Sequence, residues 1–400
     1  MEKKDNKKNI QGSNVGMANL LPYWFLLFTI GFAWFILAPL IPALIENFNV
    51  GLSAILLIIS TYGYTMVILG LLAGYIAAKF TVRSALYGSA LISIIGLVGR
   101  ALAPDYAAFL IMGIIAAIAY PLAMAPVGSI SESISKEKAH TIVGVSVGIL
   151  FLGMAFGAFF GPGLFDAFSL SGVLWITALL SILAGIWIAF GIKGYPTYYK
   201  GKSLKGTFKW GMLKNWYIGF AIAAISVMFG SVASTVLLLH NFSKDYALAL
   251  GGLLGGLAFL GSALGAIILP PLFEKYEKLK TGIITTAFLM FVSAIVMSMG
   301  LAYTTDALLI AVGFFFFGFF GNAFWSMALT STTNYVSDPA QAGFATSMYS
   351  VVTNLGVAII PVILGVYFGS MSTIYIGVIA VVIIEFIALV IAPELKTNKK

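Results

Sequence analysis

The sequence predicts an all-α membrane protein, with twelve transmembrane helices in two pseudo-symmetric six-helix bundles. Three observations predict it. Of 400 residues, 60% are hydrophobic and only 9% are Asp, Glu, Lys or Arg, against about 25% charged in a soluble domain. Those few charges cut the chain into long uncharged runs. Of the 22 Lys and Arg residues, 20 fall in alternate connections and so share one side of a twelve-span arrangement. So few charges cannot clothe a water-facing surface, and a mean hydropathy of +1.03 makes lipid the main solvent.

A membrane helix needs about 20 apolar residues, since about 1.5 Å of rise each must cover about 30 Å of hydrocarbon. Residues 1–19 are a polar, basic arm carrying Lys3, Lys4, Lys7 and Lys8. The run behind it is of full span length and continues into others, so it reads as a retained helix, not a cleaved signal. The first bundle (20–192) holds spans 20–44, 52–78, 84–103, 107–130, 140–163 and 170–192. A basic linker, 193–214, separates it from the second bundle (215–393). That bundle holds spans 215–239, 247–272, 281–303, 307–330, 341–367 and 372–392, and 394–400 form a tail. No acidic or basic residue occurs from Pro339 to Ile384. As one helix that run would be about 69 Å long, so a break belongs at Gly369-Ser370-Met371-Ser372.

The positive-inside bias places both termini, the linker and the tail in the cytoplasm of a cell-membrane protein. Only Arg100 and Lys244 fall toward the other side. Charge spread over six short connections also removes nucleic acid as the meaning of the net +8. Cysteine is absent, and only His140 and His240 supply imidazoles. Disulfides, thiol nucleophiles and a zinc cage are therefore excluded, and neither metal nor cofactor is expected.

Two strings carry a family resemblance. After the second span comes Gly74-Tyr-Ile-Ala-Ala-Lys79-Phe-Thr-Val-Arg83. It resembles the loop signature of the major facilitator superfamily, with Gly74, Lys79 and Arg83 as the gating motif. Ala78 replaces the usual Asp, so the charge-assisted latch tied to that Asp is missing. The fifth span contains Gly153-Met-Ala-Phe-Gly157-Ala-Phe-Phe-Gly161-Pro162, which resembles the superfamily's fifth-helix motif. Glycines four apart share one helix face and let another backbone approach. The resemblance, of prokaryotic type, implies that this helix packs between the two halves and that its glycines are pivot surfaces.

The resemblance also implies that the first, fourth, seventh and tenth spans line a central cavity. On this chain that points to Thr29, Trp34, Tyr120, Ser231, Thr235, Asn322 and Trp325, with Tyr349 and Asn354 from the neighbouring eleventh span. For Asn322 and Asn354 two readings stand, a solute contact or a helix–helix hydrogen bond. Among charges in or near the membrane, Arg100 is expected to snorkel outward or pair with Asp105. Glu132 either pairs with Lys136 or acts in gating, and Glu385 calls for a structural partner.

These features imply a secondary transporter. Its cargo is expected to be a small organic solute, neutral or weakly charged, carried through the bilayer by alternating access in a monomer. Proton coupling would draw on Glu132, Asp166 or Glu46. The alternative is a proton-driven exporter of lipophilic compounds. A channel does not need two similar halves. An intramembrane enzyme is disfavoured, because no His-Glu-x-x-His and no Gly-x-Ser-x-Gly occurs.

Overall fold

The computed structural model describes residues 17–125, 127, 128, 130, 139–193, 195, 205–336 and 339–397. Helix follows helix, with no strand among the described residues. In hydrocarbon every backbone N–H and C=O must be satisfied within its own segment, and a helix does this. Among the described residues eleven helices are long and apolar enough to cross a membrane. One of them, Ala139–Gly191, is 53 residues long and bends at Ser169, where φ is 58° and ψ is 177°. That conformation cannot continue a helix. It separates the fifth span from the sixth and brings the crossings to the expected twelve.

The first span is also broken. It runs Leu21–Phe35, loosens, and resumes as Ile41–Phe48. Pro39 lies in the loosened stretch, where a missing N–H and a bulky ring oppose helix. The second, third and fourth spans are Leu52–Lys79, Val82–Ala101 and Tyr106–Met124. The seventh to tenth are Met212–Leu239, Lys244–Lys275, Leu279–Tyr303 and Ala307–Thr333. The eleventh, Pro339–Leu364, passes through a 3-10 turn at Gly365–Gly369 before the twelfth, Ile374–Ile391. The chain thus breaks where its small and polar residues cluster. Short connections are capped by side chains: Asp105 accepts from the Ala108 amide at 2.8 Å, and Asp306 from the Leu308 amide at 3.0 Å.

Four spans present apolar stripes outward at four-residue spacing: Leu91 and Ile95, Leu179 and Leu183, Phe288 and Val292, Ile379 and Ile383. These third, sixth, ninth and twelfth spans are the lipid-facing periphery. Of the seventh span's residues 78% are buried, against only 33% of the twelfth's.

The halves meet along two seams. The second span packs on the eleventh, and the fifth on the eighth. Glycines bring the backbones together. A Cβ on Gly63 would lie 3.1 Å from the Ala358 amide nitrogen, and one on Gly74 2.5 Å from Ser347 Oγ. On the other seam, a Cβ on Gly252 would lie 2.9 Å from the Ala158 carbonyl, and one on Gly144 2.8 Å from the Ala266 carbonyl.

Candidate functional site

The break in the first span leaves Trp34 at the end of a helical segment, deep in the protein. Its indole Nε1 donates to the Ile59 carbonyl at 2.9 Å. Its ring stacks on Tyr62 at 4.6 Å and 8°, and tilts against Tyr120 at 5.3 Å. Across the seam, Asn354 Nδ2 donates to the Tyr120 hydroxyl at 3.3 Å and to the Ser350 carbonyl at 2.9 Å. One aromatic–amide node thus joins the first, second and fourth spans of one half to the eleventh of the other.

The second half contributes polar atoms that lack partners. Asn354 Oδ1, Thr353 Oγ1, Ser226 Oγ and Trp325 Nε1 are buried with no hydrogen bond. The Trp325 ring stands edge-on to Tyr349 at 5.3 Å, and the Tyr349 hydroxyl donates to the Trp325 carbonyl at 3.0 Å. A buried polar atom without a partner costs about 1–3 kcal/mol. Each such atom is a point at which a polar solute or water could bind.

Other residues singled out in the sequence are engaged elsewhere. Thr29 donates to the Phe25 carbonyl and Ser231 to the Val227 carbonyl, each within its own helix. Asn322 Nδ2 donates to Ser262 Oγ at 2.6 Å, tying the tenth span to the eighth inside one half. Of its two readings, the helix–helix bond is the one seen. Thr235 is half-buried on the seventh span.

The node is closed toward both faces. On the basic face, which bears Arg83, Lys193 and Lys280, Ser347 Oγ donates to the Ala125 carbonyl across the halves at 3.1 Å. A Cβ on Gly128 would meet Thr346 Oγ1 at 2.8 Å. Toward the opposite face, Phe35 stands edge-on to Phe259 at 4.3 Å, and Lys244 pairs with Glu46 at 2.5 Å, again between halves. A cleft of about 470 Å³ opens there, lined by Leu40, Glu46, Pro162, Asp166 and Lys244 among others.

Two packed six-helix halves around a closed midplane node is the architecture the two sequence motifs implied. The family model for the Major Facilitator Superfamily matches residues 23–361, and again 219–400. The chain belongs to the major facilitator superfamily. Among solved structures it is similar to a mutant of the nucleoside transporter NupG, at TM-score 0.68 and 15% identity over 94% of this chain and 99% of that one. It is also similar to the human organic anion transporter MFSD10 (TETRAN), at TM-score 0.68 and 13% identity over 92% and 98%. At such identities the likeness speaks for the fold alone. No curated protein sequence matches. Membership makes the chain a multi-pass membrane transporter of small solutes rather than an enzyme.

Within this superfamily frame the motifs sit differently from expectation. The fifth helix does pack between the halves, but its glycine stripe faces the first helix of its own half. A Cβ on Gly153 would lie 2.1 Å from the Phe28 carbonyl oxygen, and ones on Gly157 and Gly161 2.7 Å from Phe32–Ile36 backbone atoms. The face turned to the eighth helix carries Gly144, Gly148, Ala158 and Pro162 instead. The pivot surface is therefore not the Gly153–Gly161 stripe. Gly74 does touch across the halves, at Ser347. Arg83 stays within its half: its Nε donates to the Tyr195 carbonyl at 2.8 Å, and its Nη2 to the Lys193 carbonyl. Burial pushes the Tyr195 phenol up, so it stays protonated and donates to the Asn19 carbonyl at 2.9 Å. The Lys79 side chain and Glu132 lie outside the described residues.

Arg100 neither snorkels outward nor pairs with Asp105. It is 1% exposed, and its Nη2 donates to the Ala33 carbonyl at 3.3 Å and lies 3.5 Å from Thr177 Oγ1. Side chains tilt toward the N-terminus of their helix. For the third span that direction is inward, so the guanidinium points to the midplane while Asp105 caps the fourth helix. Glu385 is fully buried, and neither of its oxygens has a partner. Tyr62, which the sequence reading passed over, is central. Its signal was Thr61-Tyr62-Gly63-Tyr64-Thr65, a polar and aromatic patch in the middle of the second span.

Proposed function

We propose that this chain is a secondary transporter of the cell membrane, acting as a monomer with both termini in the cytoplasm. It moves a small organic solute bearing at most one charge by alternating access. The observation that carries the reading is the node Trp34–Tyr62–Tyr120–Asn354. It joins the two halves deep in the protein, and the second half also buries polar atoms without partners on Thr353, Ser226 and Trp325. Glycine-lined seams on either side let the halves rock as units about that node. Aromatic rings and neutral donors favour a flat, weakly polar cargo over a multiply charged one.

The test is flux into proteoliposomes holding the purified chain, screened over organic solutes with an imposed pH gradient. Saturable uptake that Asn354→Leu removes supports the reading. Linear, non-saturating flux would make the protein a pore. Movement driven by the gradient would indicate proton coupling, for which Glu46 and Asp166 border the cleft. Movement that ignores the gradient would indicate a uniporter.

A further inference from the structure

Arg100 is a complete guanidinium charge buried among uncharged groups. Its neighbours are the Ala33 carbonyl, Thr177 Oγ1, the Tyr62 hydroxyl and the Phe109 ring, 5.7 Å away. Its Nε has no hydrogen-bond partner, and among the described residues no carboxylate pairs with it. Arginine does not lose its proton in proteins, so the charge persists. Its place near the C-terminal end of the third helix offsets part of the burial cost and leaves the charge unneutralised.

A second observation lies beside it. Gly113 is buried, yet a Cβ there would meet no atom within 4 Å. Gly113 sits one turn from Phe109, under the guanidinium, and one turn from Ala117, whose carbonyl accepts from Thr65 at 3.0 Å. Thr65 in turn is one turn from Tyr62. The open space therefore faces the same patch as Arg100 and Tyr62, and Tyr62 is the stacking partner of Trp34 in the node.

We propose that this space receives the single anionic group of the solute. Arg100 would neutralise it, the Tyr62 hydroxyl would orient it, and the solute's flat body would lie against the Trp34 and Tyr120 rings. The cargo class is a monoanion with an aromatic or planar apolar body. This rests on the transporter reading above and makes it specific. It also gives the buried cation a purpose that helix packing does not, since an apolar side chain would pack as well without the desolvation.

The test uses the full chain in detergent and in proteoliposomes, with benzoate, benzenesulfonate and phenyl phosphate as anionic probes and benzamide as the neutral control. At least one anionic probe should raise the melting temperature and bind at least tenfold more tightly than benzamide. Gly113→Leu, which fills the space and keeps the Arg100 charge, should fold and lose that preference. Arg100→Lys should keep the preference with weakened binding, and Arg100→Gln should lose it. Equal binding of all four probes, or unchanged anion affinity in Gly113→Leu, overturns the proposal. If neutral solutes are carried while no anion binds preferentially, the transporter reading stands and this proposal falls. If the anion binds but no solute crosses the membrane, the site stands and the transporter reading falls.

Discussion

Arg83 and Lys280 make the same clasp in the two halves. Each is the second residue of its helix, Val82–Ala101 and Leu279–Tyr303. Arg83 donates to the carbonyls of Lys193 and Tyr195, two and four residues beyond the end of the sixth span. Lys280 donates to those of Pro393 and Leu395, two and four residues beyond the end of the twelfth. A cation at a helix C-terminus meets its free carbonyls and the negative end of its dipole. The internal two-fold of the fold is thus written in side chains as well as helix order.

Arg83→Ala and Lys280→Ala should each lower stability by about 1 kcal/mol, since partly exposed charge-assisted bonds are screened. Thermal unfolding in detergent reads this. Hydrogen exchange should rise at residues 192–195 in the first variant and 392–395 in the second, each leaving the other half unchanged.

Asn354→Leu removes a donor that reaches Tyr120 across the halves. Solute binding should weaken by about 1–3 kcal/mol, some five- to 150-fold. Tyr120→Phe should cost less, because the ring stays against Trp34. In a double-mutant cycle the two losses should fall short of additive.

Gly157→Leu should damage folding, not gating. Its side chain would start 2.7 Å from the Ile36 amide nitrogen and the Phe32 carbonyl oxygen, backbone atoms of the same half that cannot move aside. Yield and melting temperature should both fall. Gly74→Val instead meets Ser347 Oγ across the seam. It should leave each half intact, prop the basic face apart and slow transport.

Lys244→Ala breaks the pair with Glu46, two side chains 41% and 68% exposed. Equilibrium stability should change by less than about 1 kcal/mol. The opposite face should open more readily, seen as faster labelling of a cysteine placed at Asn47 in this cysteine-free chain.

Much of this was legible in the sequence because lipid enforces simple rules. Helix lengths followed from apolar runs; length demanded a break between Pro339 and Ile384, and the small and polar residues Gly369-Ser370-Met371-Ser372 placed it. Trp34, Tyr120 and Asn354, singled out by their residue types in the middle of spans, meet in one node. What could not be read was direction. Asn322 and Asn354 look alike in sequence, but Ser262 accepts from one inside its own half, while the other donates to Tyr120 across the halves and keeps a free oxygen. Those partners lie 60 or more residues away, and no local pattern encodes them. Arg100 was misjudged because its distance from the helix end suggests an exit to water, whereas the tilt of its Cβ sends it inward. The Gly153–Gly161 stripe announced a close approach without naming the helix that approaches.

Alternating access requires the two halves to rock about the node as rigid bodies, opening one face as the other closes. Electron–electron distance measurement tests this most directly, with spin labels on cysteines at Asn47 and Ala249 for the opposite face and at Ser84 and Lys275 for the basic face. The two distances should move in opposite directions across conditions, with never both long in one population. Both faces opening together would contradict it.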